Sequence, residues 1–153
     1  MKRGYFGIGI EHTKTVANVG TLWRSAHLLG AGFIFTIGAR YKKQASDTMK
    51  SWMHVPLYNY VTLEDLYQHL PHDCLLIGVE MDARSIPLHL MGHPERAVYL
   101  LGAEDHGLSK AASERCHRLV VLPGERSMNV AVAGSIVMYD RWIRGTSNMR
   151  LTA

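Results

Sequence analysis

The chain has little of what marks secreted, membrane-spanning or disulfide-stabilised proteins. Among its 153 residues there are only two cysteines, Cys74 and Cys116, and two thiols do not make a disulfide framework in a chain of this size. The apolar runs are far too short to span a bilayer. We therefore expect both thiols to be reduced, and a cytoplasmic protein without a membrane span.

A metal-binding pattern is also missing from the sequence, although the chain has nine histidines. The pairs His69/His72 and His89/His93 have helix-like spacings, but no cysteine or carboxylate cluster accompanies them in a zinc-type pattern. A structural zinc site needs about four convergent ligands. No metal site is therefore predicted.

No repeat, low-complexity segment or flexible linker divides the sequence. Apolar residues make up 47% of the chain and charged residues 20%. These shares are typical of a globular protein and unlike those of a disordered one. Because a chain of this length suits one domain with a real core, we expect a single domain over residues 1–153.

The formal net charge is +4, and a modestly basic surface suits a polyanionic partner such as a nucleic acid. The densest positive charge lies at Arg40, Lys42 and Lys43, and at Arg141, Arg144 and Arg150. A merely solvated surface explains the same charge equally well, since charge indicates partners only loosely.

Short apolar runs alternate with amphipathic stretches along the chain. Strands are predicted at residues 5–10, 33–37, 74–79, 97–101 and 119–122, with a shorter extended piece at 55–60. Helices are predicted at residues 18–29, 62–70, 109–116 and 130–144, with Asn18, Thr62, Ser109 and Asn129 as N-terminal caps. This alternation predicts an α/β fold with a mostly parallel sheet and helices on both faces. Ligands bind such sheets beyond the carboxyl ends of the strands.

Two segments near predicted strand ends carry candidate functional side chains. In the first, Asn18 opens a helix on which Arg24 could hold a phosphate by a bidentate contact, although a surface arginine is the simpler interpretation. The second follows a strand directly. Gly102 and Gly107 let its backbone turn tightly and approach a ligand, with Glu104 between them. A turn with a solvated acid explains this segment as well.

A third segment joins the last predicted strand to the last helix. The strand stops at Pro123, and Ser127 and Asn129 precede the helix. Both side chains could simply satisfy the free N–H groups at the helix start. The same N–H groups also make this position suitable for an anionic or polar ligand.

Taken together, the order and spacing of these segments resemble the SpoU (TrmH-type) branch of the SPOUT methyltransferases. That family carries Asn-x-Gly-x-x-x-Arg near its start, Gly-x-Glu-x-x-Gly-Leu after a late strand, and Pro…Ser-Leu-Asn-Val-Ser-x-Ala before its last helix. Here the motifs read Asn18-Val-Gly-Thr-Leu-Trp-Arg24, Gly102-Ala-Glu-Asp-His-Gly107-Leu, and Pro123 followed by Ser127-Met-Asn-Val-Ala-Val-Ala133. The match covers nearly the whole chain.

The resemblance implies a fold whose C-terminal part forms a deep trefoil knot, and S-adenosylmethionine (AdoMet) bound in that knot without a metal. Carried over, the cofactor-binding residues are Leu101, Gly102, Val121, Leu122, Pro123, Ser127 and Met128. The family also forms homodimers, in which the first and last helices lie near the interface and the first motif approaches the partner's cofactor. Trp23, Met138 and Trp142 suit that interface, or equally the core.

The implied reaction is methylation of a ribose 2'-hydroxyl in RNA. In the family, the arginine that aligns with Arg24 is assigned to activating the hydroxyl. A guanidinium is a poor base, because its pKa exceeds about 12. We therefore prefer a role in holding the target phosphate and stabilising the developing alkoxide. The catalytic set is completed by side chains that would order the loops and the substrate: Asn18, Glu104, Ser127 and Asn129.

The chain departs from the family pattern around its third motif. The loop before Ser127 is only Gly-Glu-Arg (residues 124–126), Met128 replaces the usual leucine, and Ala131 stands where serine is usual. No separate RNA-binding domain is expected, and family analogy favours tRNA over ribosomal RNA. Three alternatives stay open: a base-methylating SPOUT enzyme, a non-catalytic RNA-binding protein of the same fold, and another nucleotide-binding α/β domain, although no phosphate loop is recognisable.

Overall fold

A computed structural model describes residues 4–39 and 50–147. Within them, one sheet of seven strands has the order β3-β2-β1-β6-β4-β7-β5, and every neighbouring pair is parallel. The strands are β1 (Tyr5–Glu11), β2 (Phe33–Ile37), β3 (Leu57–Tyr60), β4 (Leu75–Val79), β5 (Ile86–Pro87), β6 (Arg96–Leu101) and β7 (Arg118–Val121). The predicted parallel α/β sheet is confirmed.

Helices cover both faces of the sheet, because its central strands are apolar on both sides. The helices are α1 (Val16–Leu29), α2 (Leu63–Gln68), α3 (Lys110–Arg115) and α4 (Val130–Arg144). On one face, Leu22 of α1 and Val137 of α4 belong to one apolar cluster. On the other face, Leu66 of α2 and Ala112 of α3 belong to a second. The chain is therefore a three-layered α/β structure; the trefoil knot stays a prediction of the resemblance.

Helix starts follow the predicted caps at three of four positions. The side chains of Thr62, Ser109 and Asn129 each accept a hydrogen bond from a backbone N–H in the first turn of their helix. The prediction for Asn18 was wrong, since α1 begins at Val16 with Thr15 at the cap position. Asn18 is thus the third helical residue, and its side chain is available for other contacts.

The end of the second helix was also predicted wrongly, and one strand was not predicted at all. The second helix ends at Gln68 instead of residue 70, because a proline at 71 disfavours helical backbone just before it. Strand β5 was missed, since two residues, Ile86 and Pro87, are too short to show a period. A proline is tolerated there because β5 lies at the sheet edge, where its missing N–H is not needed.

Two of the three apolar residues that suited either an interface or the core lie in the core. Trp23 and Met138 are buried, and the Trp23 indole N–H donates to the Val55 carbonyl at 2.8 Å. Trp142 is 43% exposed. Only Trp142 therefore remains a candidate for an interface. In the described part of the chain, no helix is long and apolar enough to cross a membrane.

Arg141 does not belong to a basic surface, contrary to the expectation from charge density. Its side chain is buried and donates to the carbonyls of Pro94 and Glu95, at 2.7 and 3.0 Å, and to the Tyr99 hydroxyl at 3.2 Å. Arg144 is held by Asp140 one turn earlier on α4. The remaining residues of the two predicted basic clusters, Arg40, Lys42, Lys43 and Arg150, lie outside the described residues.

Candidate active site

The carboxyl ends of β4, β6 and β7 meet the start of α4 around a cleft of about 290 Å³. This is near the lower end of the range of small-molecule sites, roughly 300–1,000 Å³. The cleft lies where parallel α/β sheets bind ligands. Its lining includes every residue carried over for the cofactor: Leu101, Gly102, Val121, Leu122, Pro123, Ser127 and Met128.

The loop after β6 forms one wall of the cleft, and two glycines shape it. Gly107 has a φ of +67°, a backbone conformation that L side chains rarely adopt. A Cβ on Gly102 would lie 2.0 Å from the carbonyl carbon of Gly107, so only glycine lets the two ends of the loop approach. The ends are paired through the backbone N–H groups and carbonyls of Ala103 and Gly107, at 3.2 and 2.9 Å.

Glu80, a residue not predicted from the sequence, holds this loop in place from the end of β4. One carboxylate oxygen accepts from the Leu108 N–H at 2.6 Å, and the other accepts from the Met81 N–H at 2.8 Å. Glu80 also lines the cleft. Its position directly after an apolar strand was the signal that could have identified it.

A line of three polar side chains connects the three motif segments. The Asn18 side-chain amide donates to Glu104 at 2.7 Å, and the Asn129 side-chain amide donates to Oδ1 of the Asn18 side chain at 3.0 Å. Asn18 lies on α1, Glu104 on the loop after β6, and Asn129 at the start of α4. Residues separated by 86 and 111 positions in sequence are thus joined at one edge of the sheet.

The Glu104 carboxylate is held ionised by its hydrogen bonds. Partial burial raises the pKa of Glu104, but donors from Asn18, Thr13, the Lys14 N–H and its own backbone outweigh burial and lower the pKa below its ordinary value. Glu104 also lines the cleft. A negative charge therefore persists in the cleft wall well into the acidic range.

Asn129 organises the start of α4 as well. Its side-chain oxygen accepts from the Ala131 and Val132 N–H groups, at 3.0 and 3.2 Å, while its amide reaches Asn18. Ser127 and Met128, just before it, are exposed and line the cleft. The third motif therefore combines a helix cap with the wall of the cleft.

Arg24 is the one predicted catalytic residue that the fold does not bring to this group. It is exposed on α1 and is absent from the cleft lining. Its neighbour Ser25 accepts a hydrogen bond from Ser135 of α4 at 2.8 Å. Arg24 therefore lies beside the junction of α1 and α4, away from the cleft of its own chain.

The histidine pairs of the sequence have other partners in the structure. Within residues 4–39 and 50–147, no group of three or more His, Cys, Asp or Glu side chains could hold a metal ion. His93 is buried between the Tyr99 hydroxyl and Asp140, with its ring nitrogens 2.7 Å from each. The ring nitrogen Nδ1 of His69 lies 2.7 Å from the backbone carbonyl oxygen of Asp65.

The protein is therefore of the parallel α/β class, with a cleft suited to a ligand at the carboxyl ends of its strands. The family model described as the SpoU rRNA Methylase family matches residues 6–139. The chain belongs to that family.

Relatives of known name and structure agree with this assignment. The mouse (Mus musculus) protein named tRNA (guanosine(18)-2'-O)-methyltransferase TARBP1 is 27% identical over 137 residues, which cover 80% of this chain and 8% of that protein. An AdoMet-bound rRNA methyltransferase from Sinorhizobium meliloti is 21% identical, with a TM-score of 0.83, over 94% of this chain and 58% of that one. The chain thus matches only part of either protein.

A third relative has almost the same extent as this chain. It comes from a structural study of 2-OH methylation of C/U34 on tRNA, is 22% identical, and has a TM-score of 0.78. The match covers 94% of this chain and 99% of that one. At such identities the structural likenesses establish the fold.

Proposed function

We propose that this protein is an AdoMet-dependent RNA methyltransferase that acts on a ribose 2'-hydroxyl of tRNA. The observation that carries the proposal is the line from Glu104 through Asn18 to Asn129, which joins all three family motifs at one cleft. A helix cap at Asn129 and a solvated acid at Glu104 would not by themselves account for these contacts between the motifs. The names of the mouse relative and of the C/U34 study support a tRNA ribose as the target.

The chemistry of the cleft suits AdoMet. Apolar side chains from the strand ends and α4, including Leu101, Leu122 and Val130, offer contact to an adenine ring. Glu104 supplies a negative charge in the same wall, which favours a cationic ligand. When bound, AdoMet supplies a methyl group on a positively charged sulfur, which is already strongly electrophilic.

The residues of this chain would then act mainly by positioning. Glu80 and the two glycines fix the loop after β6, while Asn18 ties that loop to the start of α4. Holding the ribose hydroxyl in line with the methyl group can contribute several kcal/mol, up to about ten in favourable cases. Arg24 would hold the target phosphate and stabilise the developing alkoxide.

If Arg24 takes part in the reaction, it would reach a cleft from a second copy of the chain, because it does not line the cleft of its own chain. The outer face of α4 offers a surface for the second copy. Its exposed apolar side chains recur every three or four residues and are Val132, Ile136, Tyr139, Trp142 and Ile143. A contiguous apolar face of this kind marks an association surface on a protein in water. We propose a homodimer in which each Arg24 serves the partner's cleft.

The test is transfer of tritiated methyl groups from AdoMet to a tRNA pool, followed by digestion to nucleosides. The proposal expects the label on the sugar, as 2'-O-methylnucleosides. Label on a base would instead identify a base-methylating enzyme of the same fold. Absence of transfer by a folded protein that binds tRNA would favour the non-catalytic alternative.

A further inference from the structure

Arg126 is a positively charged side chain in the wall of the cleft. It ends the short loop of residues 124–126 and directly precedes Ser127 and Met128, which line the same cleft. Among the described residues that line the cleft, it is the only arginine or lysine. The loop is short, and Gly124 with a φ of +132° turns it between β7 and α4. Arg126 is exposed at the mouth of the cleft.

The carboxylates of the cleft are already bound elsewhere. Glu80 accepts from two backbone N–H groups, at 2.6 and 2.8 Å. Glu104 accepts from Asn18 at 2.7 Å, and Asp105 pairs with Lys14 at 2.8 Å. Within the described residues, none of the three forms an ion pair with Arg126. Arg126 is exposed at the cleft, and these carboxylates leave its guanidinium available to an anionic ligand.

We propose that Arg126 binds the carboxylate of the methionine part of AdoMet, an inference that rests on the proposed function. AdoMet carries that one negative group beside its positive sulfur and ammonium. The negative charge of Glu104 suits the positive groups, and the guanidinium of Arg126 matches a carboxylate in a two-pronged contact. An RNA phosphate is the other anion that reaches this region, but Arg126 belongs to the lining itself, continuous with Ser127 and Met128.

The decisive probe is decarboxylated AdoMet, which keeps both positive groups and lacks the carboxylate. Calorimetry with AdoMet and with this analogue is carried out on the wild type, Arg126→Ala, Arg126→Lys and the control Glu125→Ala. Glu125 is exposed and does not line the cleft. The wild type should bind AdoMet about 10- to 100-fold more tightly than the analogue, as expected for a charge-assisted contact.

Arg126→Ala should lose that preference, binding the analogue like the wild type and AdoMet about 10-fold or more weakly. Arg126→Lys should recover part of the preference, and Glu125→Ala should keep all of it. Unchanged AdoMet affinity in Arg126→Ala would overturn the inference, as would an effect confined to the KM for tRNA, which would assign Arg126 to an RNA phosphate. A folded wild type that binds no AdoMet would overturn the proposed function together with this inference.

Discussion

Polar side chains hold both ends of α4, but their burial differs between the two ends. At its start, the exposed Asn129 donates to Asn18 of α1 beside the cleft. At its end, Arg141, Tyr99 and His93 form a network that is almost completely buried. A buried polar group without its partner is costly, whereas an exposed one can turn to water. We therefore expect substitutions at the end of α4 to lower stability, and substitutions at its start to affect mainly the proposed reaction.

The largest effect on stability should come from removing Arg141 from the buried network at the end of α4. Arg141→Ala removes the donor for the carbonyls of Pro94 and Glu95 and for the Tyr99 hydroxyl. Since each buried acceptor left without a donor costs about 1–3 kcal/mol, we expect a loss of about 3 kcal/mol or more in the free energy of unfolding. Urea unfolding measures it. The control Arg118→Ala, at an exposed arginine, should change stability by less than about 0.5 kcal/mol.

Arg24→Ala should leave stability near that of the wild type, because the side chain is exposed. Methyl transfer should fall about 100-fold or more, the usual effect of losing one contact to transition-state charge. Single-turnover rates with saturating AdoMet and tRNA measure this, with AdoMet affinity from calorimetry as the control. Turnover near the wild-type rate would remove Arg24 from the mechanism.

At the start of α4, Asn18→Ala should have a smaller effect, about a 10-fold loss of methyl transfer, because it loosens two loops without removing charge from the reacting groups. The Asn129→Ser variant, which keeps an oxygen that can cap α4 but loses the amide donor to Asn18, should act through the same contact. The double variant should therefore be less impaired than the product of the single effects. Independent, multiplicative effects would show that the line from Glu104 to Asn129 does not work as a unit.

The smallest expected effect is on the pH dependence of stability, through His93 at the buried end of α4. Burial lowers the pKa of His93 below its ordinary value, and hydrogen bonding to Asp140 only partly offsets this. The unfolded chain therefore binds a proton more readily than the folded one, so stability is full above about pH 6.5 and falls as the pH drops below it. His93→Gln should flatten part of this slope in urea unfolding between about pH 7 and 5. If the pH dependence of stability is unchanged in His93→Gln, the lowered pKa of His93 is contradicted.

The site was more accessible to sequence reasoning than the contacts that support it. Alternating apolar runs indicate strands, and their ends locate the cleft, so Gly102, Glu104 and Ser127 could be identified without a structure. Glu80 was missed because a single acid after a strand has no distinctive pattern. Arg141 was misjudged because charge density does not reveal burial, which depends on packing against residues about 45 positions earlier.

In the proposed dimer, each complete site combines Arg24 of one chain with the Asn18–Glu104–Asn129 line of the other. Co-expression of an Arg24→Ala chain and an Asn18→Ala chain with different tags yields a mixed dimer that tests it. If Arg24 acts across the interface, one of the two clefts in the mixed dimer is intact, and methyl transfer should be about half that of the wild type. A rate no higher than the average of the two parent variants would contradict the claim.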